Sequence, residues 1–397
     1  MIRSIRFSNF YSFADEAETD FTLGKKPTPS GFDIELADGS RLNKVIAVVG
    51  ANGSGKTQFI KPLAFLSWFV CDSFLGNDPD SAVFYRPHRL HASGETKLEV
   101  DFLLNGIEHR YQLELKAGQV CSEVLLQRTS SQFSYLFRRE RNADGNGFSF
   151  KQKGFPFPKA QAESIRANAS LLAAAHSYDI HEALPFIEYF ESMTSNVSAM
   201  GRRHFQRSAL FTAAKDYEQV PQLKTRMIEA MREFDLGLND IAIRQREITR
   251  EDGSSATLHE PFGMHRSTSG EEFELSFLDE SSGTQSTFVL LGKLLKALEF
   301  GGIAVIDEID NDLHPHLMPR ILDWFRFEHS NPHQAQLIFT CHTPELLNHL
   351  QKHQVYLCEK RDQCSEAWRL DEVQGLRADD NLYAKYMAGA LGGVPEL

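Results

Sequence analysis

The sequence predicts an α/β protein: a mixed sheet with a glycine-loop core, an antiparallel β meander beside it, and a helical lobe inserted between two halves of the core. Three observations predict this. The run Val45-Ile46-Ala47-Val48-Val49 is apolar throughout and is followed at once by a glycine-rich loop and a helical pattern from Thr57 to about Phe69. A strand without a polar face is buried on both sides, as in a parallel sheet. From about Val83 to Phe137 apolar and polar residues alternate, as in Leu98-Glu99-Val100-Asp101-Phe102 and Tyr111-Gln112-Leu113-Glu114-Leu115, with turns at Asn105-Gly106 and Ala117-Gly118. That period of two is the mark of half-buried antiparallel strands. Two more apolar runs, Ile303–Ile306 and Gln336–Thr340, flank a helical pattern around Leu317–Phe327.

Taken in order, residues 1–50 read as strands and residues 76–80 as a turn. Residues 142–158 are rich in Gly, Asn and Pro and read as a loop. From Lys159 to about Phe234 the pattern is mostly helical. Strand patterning returns at Ile241–Ile243 and Phe273–Phe277, and a helix is expected from about Gln285 to Leu298. The expected division is an N-terminal lobe over 1–137, a mainly helical insertion and partner-binding lobe over 138–270, and a C-terminal lobe over 271–397. There is no internal repeat and no low-complexity tail.

Composition narrows the class. The 397 residues are 42% hydrophobic and carry a net charge of −12, which supports a sizeable core and argues against a globally basic nucleic-acid binder. No apolar run in the sequence approaches a membrane span, and the start Met1–Arg6 alternates like a strand, not a leader. Five scattered cysteines without a Cys-x-x-Cys pair fit a reducing, cytoplasmic setting and argue against a disulfide framework or zinc site. Cys358, Glu359, Asp362 and Cys364 match no metal spacing. His314 and His316 read as a loop pair exposed to solvent.

Four motifs carry chemistry. In Gly50-Ala51-Asn52-Gly53-Ser54-Gly55-Lys56-Thr57 the glycines let successive backbone N–H groups curl around a phosphate, Lys56 supplies a charge to the β- and γ-phosphates, and Thr57 offers a hydroxyl to Mg²⁺. ATP and Mg²⁺ are therefore the expected ligands, with Asn52, Gly53, Ser54 and Gly55 in the cradle. In Ile303-Ala304-Val305-Ile306-Asp307-Glu308 a buried strand ends in two acids. Asp307 is expected to support Mg²⁺, and Glu308 to polarise the attacking water. In Glu280-Ser281-Ser282-Gly283-Thr284-Gln285 a helix start leaves N–H groups and hydroxyls free for a second phosphate surface. In Thr340-Cys341-His342 the strand after the acidic one brings His342 to the same sheet edge, within reach of the γ-phosphate.

These motifs, in this order, resemble the ABC-type ATPases, in particular the RecF/SMC-like and OLD-like branch. The start Ile5-Arg6-Phe7-Ser8-Asn9-Phe10 is similar to that branch, and Ile309-Asp310-Asn311-Asp312-Leu313-His314-Pro315 resembles its D-loop. The signature reads Ser-Ser-Gly-Thr-Gln, not the Leu-Ser-Gly-Gly-Gln of transporters. The stretch Arg377–Tyr386 with Gly389, Gly392, Gly393, Val394 and Pro395 resembles the tail of AAA-family ATPases of the RloA and AbiL type, found beside restriction and abortive-infection loci. An Arg expected after Gly389 in the RloA tail is replaced by Ala390, and the glutamine of the ABC Mg²⁺ shell is not located near residues 83–92.

The resemblance implies an ABC-type ATPase head working as a homodimer or higher homo-oligomer. Ser281, Ser282, Gly283 and Thr284 of one copy would complete the ATP site built on Lys56 of the other, with Lys56, Glu308 and His342 catalytic and Thr57 and Asp307 on the metal. It implies a switch in phage defence that controls a separate effector, a nuclease or toxin, without a membrane. The chain stops soon after His342, so a nuclease domain of the OLD type is not expected within it. The second hypothesis is a RecF/SMC-like ATPase that clamps DNA when ATP binds. Three basic clusters are nucleic-acid candidates: Arg138–Arg141, Arg244–Arg246, and above all Arg202, Arg203 and Arg207 around Phe205.

Overall fold

The computed structural model describes residues 1–24, 29–234, 237–249, 253–311, 313 and 315–394. Asp312 and His314 of the D-loop stretch and Pro395 of the tail lie outside the described residues. Two large sheets organise the chain. The first has seven strands in the spatial order 148–152, 134–141, 119–128, 107–116, 96–104, 2–8 and 17–20, all antiparallel. The second has six, in the order 194–195, 303–306, 336–340, 45–50, 355–361 and 364–369. Its first five strands run parallel and the last closes an antiparallel hairpin. The mixed sheet with a glycine-loop core and an adjoining meander is therefore the architecture found.

The apolar runs behave as strands buried on both faces must, because successive side chains point to opposite sides. Ile46, Val48, Val305 and Ile338 enter one core, shared with the meander and the helix Lys56–Gly76. Val45, Ala47, Val49, Ala304, Ile306, Leu337 and Phe339 enter the other, shared with the helix Ser282–Phe300. The helix Lys56–Gly76 is long and apolar enough to cross a membrane by length and composition, although the sequence reading found no such run. Here it is wedged against both sheets, with Phe59, Ile60, Phe65, Leu66 and Phe69 fully buried.

The middle of the chain differs from expectation. The stretch expected as a loop over 142–158 contains the strand Phe148–Gln152, which extends the meander. The stretch expected as mostly helical holds five helices, at 159–164, 171–177, 184–191, 207–219 and 221–233. Three two-residue strands, 194–195, 197–198 and 201–202, interrupt them. Helices before this break pack into the first core and those after it into the second. The strands Asp240–Thr249, Ser255–Arg266 and Glu272–Ser276 form a separate three-stranded sheet. Residues 138–270 are thus shared between two cores and a β unit.

Two of the basic clusters are occupied within the fold. Arg244 pairs with Glu274 at 2.5 Å and Arg246 with Glu260 at 2.8 Å. Arg139 is wholly buried and meets Glu123, also wholly buried, at 3.4 Å. Glu123 further accepts hydrogen bonds from the Tyr111 and Ser170 hydroxyls and the Leu171 N–H, each at 2.9 Å. Arg139 donates to the carbonyls of Ala169 at 3.0 Å and Arg166 at 2.9 Å. This network ties the meander to the helix Leu171–Ser177. Glu123→Ala leaves the guanidinium buried without its counter-charge and is expected to destabilise the protein by about 3–5 kcal/mol. A urea midpoint equal to that of the parent would refute this.

Candidate active site

The strand Val45–Gly50 ends at a loop that only glycine can build. A Cβ on Gly50 would lie 2.2 Å from the Cys358 carbonyl oxygen, and one on Gly55 would lie 2.3 Å from Ser365 Oγ. Gly55 also has φ +109, in the region that side-chain-bearing residues avoid. Gly55 is the N-cap of the helix Lys56–Gly76 and gives it no side-chain cap, and no acid sits in its first turn. The first N–H groups of a long helix are thereby left for an anion. Ser54 Oγ, within the same loop, is buried without a hydrogen-bond partner. Asn52 and Gly53 are exposed at the loop's tip.

Lys56 Nζ donates to the carbonyls of Gly50 at 2.8 Å and Ala51 at 3.1 Å. Burial pushes its pKa down, an effect that nearby Asp307 and Glu308 oppose. The ammonium is held at the loop's centre by weak neutral acceptors, ready to exchange them for phosphate oxygens. Thr57 Oγ1 lies 3.0 and 2.9 Å from the two carboxylate oxygens of Asp307. A hydroxyl and a buried carboxylate at this separation are hard oxygen donors that suit Mg²⁺. Among the described residues no group of three His, Cys, Asp or Glu could hold a metal alone. Thr57 and Asp307 would supply two protein oxygens to such an ion, few enough to suit Mg²⁺, which keeps several waters.

The acidic pair is tightly positioned. Asp307 Oδ1 accepts from Thr340 Oγ1 at 2.7 Å, and the same Oγ1 accepts the Glu308 N–H at 2.7 Å. Asn196 clamps the Asp307 backbone from the other side, accepting its N–H at 2.7 Å and donating to its carbonyl at 2.9 Å. Glu308 sits at φ +49, a left-handed conformation uncommon outside glycine. That conformation sends its carboxylate to Arg202 Nη1 at 2.6 Å, Asn311 Nδ2 at 2.6 Å and His342 Nε2 at 3.3 Å. Asp310 in turn accepts the His342 N–H at 2.8 Å and the Thr343 N–H at 2.7 Å, fixing the histidine loop.

A cavity of about 650 Å³ lies over these groups, lined by Asn52, Gly53, Gly55, Lys56, Thr57, Glu308 and His342. Its size falls within the range of small-molecule sites. Ser12, Gln58, Asn311 and Lys360 line it as well. The sequence reading had singled out none of these four for the site, and it also missed Asn196, Arg202 as a Glu308 partner, and Thr340. The signature residues are elsewhere. Ser281 caps the helix Ser282–Phe300 by accepting the Thr284 N–H at 3.1 Å, and its hydroxyl lies 2.8 Å from the Thr284 hydroxyl. Ser281, Ser282 and Gly283 are exposed, Thr284 is buried, and none of the four lines the cavity. Of the three arginines expected to touch nucleic acid, Arg202 is turned onto Glu308, whereas Arg203 and Arg207 are exposed.

A glycine loop joining a buried strand to a helix, with a lysine and a threonine facing the acidic end of a neighbouring parallel strand, defines a P-loop ATPase. The family model described as "AAA domain, putative AbiEii toxin, Type IV TA system" matches residues 45–348, and the chain belongs to that family. It is an ATPase of the AAA class. No curated protein matches the chain at the sequence level. Similar solved structures include an SMC head bound to the C-winged helix domain of ScpA, 14% identical, covering 94% of this chain and 99% of that one at a TM-score of 0.46. The SMC head domain from Thermotoga maritima is 14% identical, with 93% and 98% covered and a TM-score of 0.41. The Smc head domain from Pyrococcus furiosus with an extended coiled coil, bound to the C-terminal domain of ScpA, is 13% identical, with 94% and 97% covered and a TM-score of 0.41.

Proposed function

We propose that the chain is an ABC-type ATP switch of a bacterial abortive-infection-like defence system, acting in the cytoplasm and controlling a separate nuclease or toxin. The observation that carries the switch is that the helix start at Ser281–Thr284 lines no part of the P-loop cavity. The exposed Ser281 caps a 19-residue helix whose first residues are the exposed Ser282 and Gly283, and none of the three lines the P-loop cavity. A capped helix start with free N–H groups offers the same attraction for phosphate as the P-loop does. Two copies arranged head to tail would place each cap over the other's nucleotide. The defence setting is supported by the family's description and by the tail resemblance.

In this reading Gly53, Ser54 and Gly55 wrap the phosphates with their N–H groups while Lys56 neutralises them. Thr57 and Asp307 would hold Mg²⁺, which would supply positive charge against the phosphates. Glu308 orients and deprotonates the attacking water, and His342 contacts the γ-phosphate edge. In the state described here Glu308 is paired with Arg202, so water activation requires that pair to loosen. Hydrolysis and release would then separate or reorient the heads and pass the change to the effector.

Mass measurement in solution tests this. ATP with Mg²⁺ is expected to shift the protein from one copy to an even-numbered assembly. Ser282→Arg, which places a bulky cation at the exposed cap, is expected to abolish the shift while leaving ATP binding to the single copy unchanged. An assembly that forms equally well in Ser282→Arg would sink the head-to-tail arrangement. ATP-dependent, salt-sensitive DNA clamping by the isolated protein would replace the effector-switch reading with a DNA-clamp one.

A further inference from the structure

A second cavity, of about 700 Å³, has no lining residue in common with the P-loop cavity but includes Asn196 and Arg202, the supports of the acidic pair. Its lining comes from the segment between the helices Leu184–Glu191 and Arg207–Gln219, from the face of the second of these that carries Thr212 and Asp216, and from the flank of the helix Ser282–Phe300 that carries Ser286, Val289, Lys293 and Lys296.

Its charge is unbalanced. Four cations, Arg202, Arg203, Lys293 and Lys296, face two acids, Glu191 and Asp216. Lys296 lies 3.4 Å from Asp216, and Arg202 is engaged with Glu308. Lys293 and Arg203 have no side-chain hydrogen bond or ion pair among the described residues. Burial pushes the Lys293 ammonium down to about 8, and repulsion from Arg203 and Lys296 adds to this while Asp216 opposes it. A half-buried ammonium beside two like charges, whose nearest acid Asp216 is shared with Lys296, is costly to keep, and an anion in the cavity would relieve that cost. The rest of the lining is not purely polar. Met193, Val289 and Leu290 lie at the wall, and Phe205, 40% exposed, stands among the cations. An aromatic face beside lysine and arginine suits a planar ring that bears a phosphate.

We propose that this cavity is a second ligand site for a nucleotide-like molecule, with Lys293 and Arg203 holding its phosphate and Phe205 stacking on its ring. Lysine gives the phosphate a point charge and arginine a planar fork. A free nucleotide and the 5′-phosphorylated end of a strand present the same chemistry, and the experiment below distinguishes them. The site goes beyond the ATP switch and does not depend on the head-to-tail arrangement.

Calorimetry on the full chain, preloaded with one equivalent of ATPγS and Mg²⁺ to occupy the P-loop, tests the site with three probes: UMP, 5′-phosphorylated dithymidine and inorganic phosphate. UMP or the dinucleotide is expected to bind with a Kd below about 1 mM and more tightly than inorganic phosphate. Tighter UMP assigns the site to free nucleotides, and a tighter dinucleotide assigns it to strand ends. Lys293→Ala and the surface change Arg203→Ala are each expected to weaken that binding by about tenfold or more, with ATPγS affinity unchanged. No binding of either nucleotide probe, equal affinity for inorganic phosphate, or binding unaltered in both variants overturns the proposal.

Discussion

Glu308→Gln is expected to lower ATP turnover by about 10²–10⁴-fold while ATP still binds, the usual loss when a general base is removed. The amide keeps the shape of the side chain but cannot take a proton from water. It also ends the charge pair with Arg202 at 2.6 Å, so the amide site is no longer latched. The ATP-bound assembly should therefore accumulate in this variant, because its exit by hydrolysis is closed. Single-turnover phosphate release and solution mass, measured on the same sample, check both halves. Unchanged turnover in Glu308→Gln would remove Glu308 from the chemistry and favour a scaffold whose ATP is never hydrolysed.

Lys56→Ala has the second large effect, on binding instead of turnover. Removing one partner of a buried charge pair costs enough to weaken ATP binding by at least about 30-fold. The parent's loop carbonyls of Gly50 and Ala51 also lose the donor that holds them at 2.8 and 3.1 Å. Thermal melting separates the two consequences. A ligand at about 100 times its Kd stabilises the folded protein by about 2.7 kcal/mol. At the same ATP concentration the parent should show that rise, and Lys56→Ala, weakened about 30-fold or more, should show less than about 1 kcal/mol. A rise of the same size in Lys56→Ala would mean that the nucleotide sits elsewhere.

The contrast between these residues and their supports shows where the sequence is readable. Asp307 and Glu308 directly follow an apolar strand, and Lys56 and Thr57 begin the helix that a glycine loop joins to another, so a strand end or a helix start fixes where their side chains emerge. Asn196 and Arg202 do not. They come from a segment whose strands are two residues long, too short for any periodicity to register. Thr340 was read only as the last residue of a buried strand, and nothing local distinguishes a threonine that bonds Asp307 from one that fills space. Arg139 carried a signal that went unused. It shares parity with Phe137 along its strand, both buried, while Arg138 between them is exposed. The turn at 142–147 hid the last meander strand because its Gly and Asn content outweighs five following residues. The helix start at Ser281–Thr284 was legible as a motif, but that it lines no part of the P-loop cavity is a property of the fold.

The order of strands in the six-stranded sheet has a consequence for how the chain is made. The central strand, Val45–Gly50, is buried along its whole length. Its two neighbours are residues 336–340 and 355–361, nearly three hundred residues later. At synthesis rates of about 5–20 residues per second, that strand leaves the ribosome roughly 15–60 s before either neighbour exists. The meander and the helix Lys56–Gly76 can cover the face bearing Ile46 and Val48 in that interval. The edges of the strand and the face bearing Val45, Ala47 and Val49 stay open. Nascent chains interrupted before about residue 360 should therefore be the species that chaperones hold and proteases remove, and refolding from denaturant should be slow because its decisive contacts are the most distant in sequence.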